Sequence, residues 1–203
     1  MDKLREVQLL MAQSEGFTSE QLALLENDEF NFEQAEQVRL GIKQKLPFEK
    51  VLQYAKPRFS IEQMELIRRG YLNGWNPEEV GLYSRPEYSL PQMFPIFTTQ
   101  LTLNAEAQSI AHIAEVTGGA GDEVNAEITR LQTASGIMVE SINWDTTWLN
   151  STNKTIQLRT PFTVTLTKKV EIPVINPAMG ESGPVTVTLH ASASGISEVY
   201  YKP

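Results

Sequence analysis

Two histidines, His112 and His190, and no cysteine are all this 203-residue chain offers as soft metal donors. A catalytic or structural zinc needs three or four converging ligands. His112 falls in an alanine-rich stretch that reads as helix and His190 at the end of a strand pattern, so structural or surface roles suit both better than ligation. Gly118-Gly-Ala-Gly121 has the glycine density of a phosphate loop, but no Lys-Ser/Thr follows, and Asp122 and Glu123 would repel an anion. A helix start fits that segment better. Trp144 and Trp148, with Asp145, Asn150, Ser151 and Asn153 beside them, make a polar-aromatic loop that could stack on a sugar or touch a protein. Such tryptophans also serve to close over a sheet. Asn150-Ser-Thr and Asn153-Lys-Thr match glycosylation sequons. In the first half, Tyr54, Trp75 and Tyr83 could line a partner-binding groove or fill the space between helices. The recurring pairs Glu33/Glu62, Glu36/Glu65 and Arg39/Arg68 could bind a ligand or form local ion pairs on a solvated face. Nowhere do a nucleophile, a base and an orienting group cluster, so the chain reads as a non-enzyme with no cofactor and no catalytic or metal site.

Elements must position these residues, and in the first half they repeat. Phe30-Asn-Phe-Glu-Gln-Ala-Glu-Gln-Val-Arg-Leu-Gly41 realigns 29 residues later on Phe59-Ser-Ile-Glu-Gln-Met-Glu-Leu-Ile-Arg-Arg-Gly70, and Tyr88-Ser-Leu-Pro-Gln-Met93 opens a further copy. Val51, Tyr54 and Pro57 match Val80, Tyr83 and Pro86. A fixed period of this length predicts stacked helical units. Ile61, Met64, Leu66 and Ile67 give one helix an apolar side, Ser60 and Gln63 form a capping box at its start, and Gly70 and Gly74 mark its end. Asn76-Pro-Glu-Glu79 starts a second, short helix that Pro86 stops. A truncated copy at Phe17-Thr-Ser-Glu-Gln-Leu22 reads as the cap that opens the array.

From Phe94 the pattern changes. Thr98 to Thr117 predicts one long helix ended by Gly118-Gly119, with Pro91 and Pro95 as the place where the array's helical pattern fails. Asp122 to Gln132 predicts a shorter helix before Gly136. The period then drops to two: Phe162, Val164 and Leu166 alternate with threonines and continue through Val170, Ile172 and Val174, as do Val185, Val187 and Leu189. The loop Asn176 to Pro184 makes these two a hairpin, and Ile137–Ile142, Thr155–Leu158 and Ile196–Tyr201 complete a sheet of four or five antiparallel strands. The expected fold class is α+β, with a helical-repeat domain over 1–93 and a second domain over 94–203.

Composition narrows the partners. Apolar residues at 41% and charged residues at 21% are ordinary for a folded chain. The net charge of −8 is shared evenly, with 11 basic and 15 acidic residues up to Met93 and six and ten after it. No basic face is hidden by averaging, which argues against nucleic acid. No apolar run approaches a membrane span, and the first residues are too charged for a signal peptide.

The repeat, in its Phe59-Ser-x-x-Gln-Met-x-x-Ile-Arg-x-Gly70 core and Val80-x-x-Tyr83-x-x-Pro86 end, resembles an uncharacterised short helical repeat of accessory proteins in bacterial mobile elements, over about residues 17–97. That resemblance implies an interaction module. Phe94-Pro-Ile-Phe97, Ala114-Glu-Val-Thr-Gly118, Gly121-Asp-Glu-Val124, Ile128-Thr-Arg-Leu131 and the closing Gly195-Ile-Ser-Glu-Val-Tyr-Tyr-Lys202 resemble the TadE-like pseudopilins of bacterial conjugative elements, over about residues 94–202. The resemblance implies a pilin-like domain, a structural role at the cell envelope or conjugative apparatus, and self-association or a protein partner. In such proteins the long helix continues N-terminally into a membrane anchor, and here helical repeats occupy that place. The alternative is a cytoplasmic adaptor whose repeats bind a protein partner.

Overall fold

The computed structural model describes residues 3–176 and 181–202. The chain divides into two compact units, Met1–Phe94 and Pro95–Pro203, and its fold class is α+β.

The first unit stacks helix pairs: α1 Lys3–Ser14 with α2 Ser19–Leu25, α3 Phe32–Lys43 with α4 Phe48–Tyr54, and α5 Ile61–Leu72 with α6 Pro77–Gly81. Asn31 and Ser60 cap α3 and α5, each through a box closed by Gln34 or Gln63. These glutamines act twice. Gln63 Oε1 accepts from Ser60 N–H at 2.7 Å, while its Nε2 donates to the carbonyls of Pro86 and Tyr88. Gln34 Nε2 reaches Pro57 O at 3.0 Å and Phe59 O at 2.7 Å in the same way. One amide thus starts its own helix and holds the start of the next copy, a bidentate task that a carboxylate could not perform.

The array opens earlier than the sequence predicts. Instead of a truncated copy from Phe17, α1 and α2 form a full copy in the same 29-residue register. Arg5 stands where Gln34 and Gln63 stand, donating to Phe30 O at 2.6 Å, Leu25 O at 3.1 Å and Asn27 O. Ala12 stands for Gly41 and Gly70, and Leu25 for Tyr54 and Tyr83. The alignment hid because the marker residues change together. A Cβ on Gly41 would lie 1.8 Å from Tyr54 Oη and one on Gly70 1.9 Å from Tyr83 Oη, whereas leucine carries no hydroxyl and leaves room for alanine. Gly70 therefore lies inside α5 and does not end it; Gly74, at φ +84°, does.

Helix α7 runs from Leu90 to Thr117, with Pro91 in its first turn and Pro95, where the second unit begins, inside it. It starts eight residues before the expected helix: proline is tolerated in a first turn, where the N–H has no helical acceptor. Gly118, at φ +73°, stops it. Helix α8, Asp122–Ser135, ends on left-handed Gly136. Strands β1 Ser141–Thr146, β2 Pro161–Asn176 and β3 Glu181–Ile196 form an antiparallel sheet in the order β1-β2-β3.

Among the described residues the sheet has three strands, fewer than the expected four or five. The strand expected at Ile137–Ile142 lies at Ser141–Thr146, with Trp144 opposite Val164. Strand β3 extends past Leu189 because Ala191 and Ala193 alternate with Ser192 and Ser194, keeping period two in small residues. Part of the expected hairpin loop, residues 177–180, lies outside the described residues, while Gly183 and Pro184 belong to β3 and pair with Val174 and Pro173 of β2. The segments Thr155–Leu158 and Ile196–Tyr201 do come together, through Ser197 Oγ to Ile156 O and the Gln157 amide to the Tyr201 backbone, each at 2.9 Å, and Ser197 is also bonded by backbone to Arg159 and Thr160. Left-handed Arg159, at φ 63°, breaks the extended path before a ladder can form.

Helix α7 lies along β3. Gln100 Nε2 donates to His190 O at 2.8 Å, and Ile196 N–H donates to Glu115 Oε1 at 3.2 Å. Fifteen helical residues and six extended ones each span about 20 Å, so both anchors fit one parallel run. Leu103, Ala107, Ile110 and Ala114 on the helix and Phe162, Val164, Leu166 and Leu189 on the sheet are buried. Gly195 permits the close approach: a Cβ there would meet Glu115 and the Phe162 ring at 2.7 Å.

Candidate functional site

The aromatic residues of the array are not at its surface. Tyr54, Tyr83 and Trp75 are buried, Trp75 standing edge-on to Tyr83 with ring centres 6.1 Å apart. Tyr54 Oη donates to Gln37 O at 3.2 Å and Tyr83 Oη to Leu66 O at 3.4 Å, contacts 29 residues apart that tie each short helix to its long one. Burial pushes both phenols up. A groove built on these three rings does not form, because each copy spends them on its own packing.

Arg39 and Arg68 are buried as well, which corrects their reading as solvated surface. Arg39 donates to Glu15 of the preceding copy at 2.6 and 2.7 Å and to Glu36 at 2.6 and 2.8 Å. Arg68 reaches back in the same register to Gln44 and Gln37. Gln44 replaces Glu15, so one joint is ionic and the next is polar. Lys43 and Arg39 hold the Glu15 carboxyl below its usual range, and Arg39 and Gln8 do the same for Glu36. Glu33 and Glu62 stay exposed.

Once the first copy is aligned, one surface appears that the sequence reading missed. Val7 and Leu10 of α1 occupy the register of Glu36/Glu65 and Arg39/Arg68, and they are exposed. The signal was present as apolar residues at positions that are charged in the later copies.

In the second unit Trp144 lies in β1 and Trp148 just after it. Trp148 folds over Trp144 at 6.2 Å between ring centres, and Trp144 leans on Phe162 at 5.8 Å. Both are half-buried, closing the sheet's apolar side at β1. Asn150 Oδ1 accepts from Thr152 and Asn153 N–H at 2.9 and 3.0 Å, so it shapes the following turn. His112 is exposed on α7, 3.7 Å from Glu115, and His190 faces Thr167 Oγ1 at 3.1 Å on the sheet's open side. Among the described residues no group of three or more histidine, aspartate or glutamate side chains could hold a metal ion. Asp122 and Glu123 begin α8, and no side chain caps it.

The open side of the sheet carries hydroxyl pairs, Thr163 with Ser194 and Thr165 with Ser192, each at 2.8 Å. At one end of the sheet an open cleft of about 1060 Å³ is lined by Asp145, Arg159, Glu198 and several threonines. Its lining includes Glu115, whose carboxylate accepts from the Ile196 N–H. These groups offer hydrogen bonds and charge but no nucleophile paired with a base.

The C-terminal Gly195–Tyr201 segment closes the unit. Buried Ser197 donates to Ile156 O at 2.9 Å, Gln157 exchanges two bonds of 2.9 Å with the Tyr201 backbone, and Tyr201 Oη donates to Thr117 O at 3.0 Å. Gly118 is required where these strands of chain meet, since a Cβ there would lie 2.5 Å from that of Val199. The residues that made this ending distinctive in sequence serve as a staple.

Taken together, the class is an α+β domain, a long helix along an antiparallel sheet, preceded by helical repeats, and no described helix is long and apolar enough to cross a membrane. The chain belongs to the family described as Domain of unknown function (DUF4320), whose model matches residues 88–202, more than half of its length. No curated protein and no solved structure gave a match.

Proposed function

We propose that this chain is a non-enzymatic structural and interaction protein, a pseudopilin-like domain carried behind a helical-repeat module and working at the cell envelope or in a conjugative apparatus. The observation that carries this reading is the lie of α7 along β3, pinned by Gln100 at one end and Glu115 at the other. A long helix over one antiparallel sheet, stapled by the chain's last residues, is how a subunit presents one rigid helix to neighbours. In this reading the adjoining segments 155–158 and 196–201, held by side-chain bonds, stand where a pilin-like sheet would have its fourth and fifth strands.

A second reading is a cytoplasmic adaptor, favoured by the array, whose first helix leaves an apolar stripe uncovered. Location separates the two. Fractionation of the native host with an antibody against the full chain is expected to find it with envelope material; recovery wholly in the soluble cytoplasmic fraction supports the adaptor and removes the pilin-like role.

A further inference from the structure

Helix α8 is held lightly along its length. Of its apolar side chains only Val124, in the first turn, is buried, while Ile128 and Leu131 further along are half-buried. Most of its side-chain bonds are internal: Thr129 and Thr133 donate to carbonyls one turn back, and Arg130, the only cation of this helix, donates to Glu127 at 2.7 Å. Among the described residues one hydrogen bond ties α8 to another element, from Ser109 Oγ on α7 to Glu127 Oε1 at 2.8 Å. Glycines flank the helix on both sides. A Cβ on Gly136 would meet nothing within 4 Å, and one on Gly121 nothing nearer than the Glu123 carboxylate at 3.9 Å, so packing does not require glycine at either end. What both supply is backbone freedom.

Beneath this helix lies a group that the rest of the unit leaves unused. Residues 118–121 alone join the two helices, and Ser109 meets Glu127, so α8 folds back along α7. Glu106 stands one turn before Ser109 and Ile110, on the side of α7 that α8 covers. It is 4% exposed, and its Oε1 is buried with no hydrogen-bond partner. A buried carboxyl without a partner destabilises the closed state, and its return to water favours lifting of the cover.

We propose that α8 is a hinged flap, latched by Ser109 and Glu127, that swings away from α7 on Gly121 and Gly136 and gives access to Glu106. Val124 and the latch hold it shut, and the lone carboxyl keeps its opening far less costly than unfolding of the whole unit. The inference rests on the second unit alone and not on the envelope reading.

Native-state hydrogen exchange of the full chain, read peptide by peptide by mass spectrometry, tests this. Amides in the Ile128–Gln132 part of α8 are expected to exchange at least about ten-fold faster than those of Leu103–Ala114 in α7. Glu106→Met keeps the length of the side chain without its polar atoms, and is expected to slow exchange in α8 by about ten-fold, because opening no longer releases a buried carboxyl. Ser109→Ala is expected to speed exchange in α8 by about five-fold and to leave α7 unchanged. Exchange in α3 and α5, expected to be the same in every variant, is the internal reference. An α8 as well protected as α7 overturns the inference, since the helix then opens only with the whole unit. So does a Glu106→Met chain in which exchange slows in α7 alone, which would put the carboxyl under some other cover, or a Ser109→Ala chain with no change in α8.

Discussion

The hydroxyl of Tyr83 occupies the space where a side chain on Gly70 would begin, 1.9 Å from the ideal Cβ. Tyr54 stands against Gly41 in the same way at 1.8 Å, and in the first copy Leu25 and Ala12 take both positions. Alanine inside a helix is favoured over glycine by about 1 kcal/mol, but a fully buried ring cannot withdraw by the distance required. Gly41→Ala is therefore expected to destabilise the α3–α4 pair by about 1–3 kcal/mol. Adding Tyr54→Leu, which reproduces the first copy's pair, is expected to cost less than the two changes summed. Hydrogen exchange of α3 and α4 reads this unit alone, and strict additivity in the double variant would contradict the pairing.

Gln63 offers a second test because its two ends do different work. Gln63→Glu keeps the acceptor that closes the capping box but replaces the donor with a charge facing the Pro86 and Tyr88 carbonyls. It is expected to destabilise the array by about 1–3 kcal/mol, the cost of leaving buried polar groups unpaired. Gln21→Glu, in the exposed box with Thr18, is expected to change stability by less. Equal effects at both positions would show that the inter-copy bonds contribute nothing.

The contrast between what the sequence disclosed and what it concealed follows from these contacts. The 29-residue period was legible from Phe30 onward because the Gly41–Tyr54 and Gly70–Tyr83 pairs recur by identity. The first copy was not, because Ala12 and Leu25 satisfy the same packing with other residues. Arg39 and Arg68 read as surface since charge at helical spacing usually is, and only the arrival of Glu15 or Gln44 from a neighbouring copy explains their burial. In the second unit, β1 was misplaced because Asn143 and Asp145 interrupt its propensity on the open face while Ile142 and Trp144 keep its apolar side. Residues 155–158 and 196–201 carry strand patterning, yet the left-handed turn at Arg159 is invisible to it.

Gly195 is the point at which α7 comes nearest the sheet. Gly195→Ala sets a methyl 2.7 Å from both the Glu115 side chain and the Phe162 ring. The expected result is a loss of about 1–3 kcal/mol, seen as faster hydrogen exchange in the Leu103–Ala114 part of α7. Unchanged exchange there would place the helix elsewhere.

Acid should loosen the array through one joint. Glu15 and Glu36 have carboxyls held below their usual 4.5 by hydrogen bonds from Lys43 and Arg39 and from Arg39 and Gln8. A depressed folded value means stability that is present above the unfolded pKa and is lost as pH falls through the folded one. Thermal melts between about pH 6 and about pH 3 are expected to fall more steeply for the native chain than for Glu36→Gln. Parallel curves would remove this joint from the acid response.

The envelope reading is tested most directly by asking which side of the cytoplasmic membrane the chain occupies. With no native cysteine, Met138→Cys places one thiol on an exposed site of the family-matched unit. In intact native cells a membrane-impermeant maleimide is expected to label it. Labelling that appears only after the cells are lysed would contradict the account.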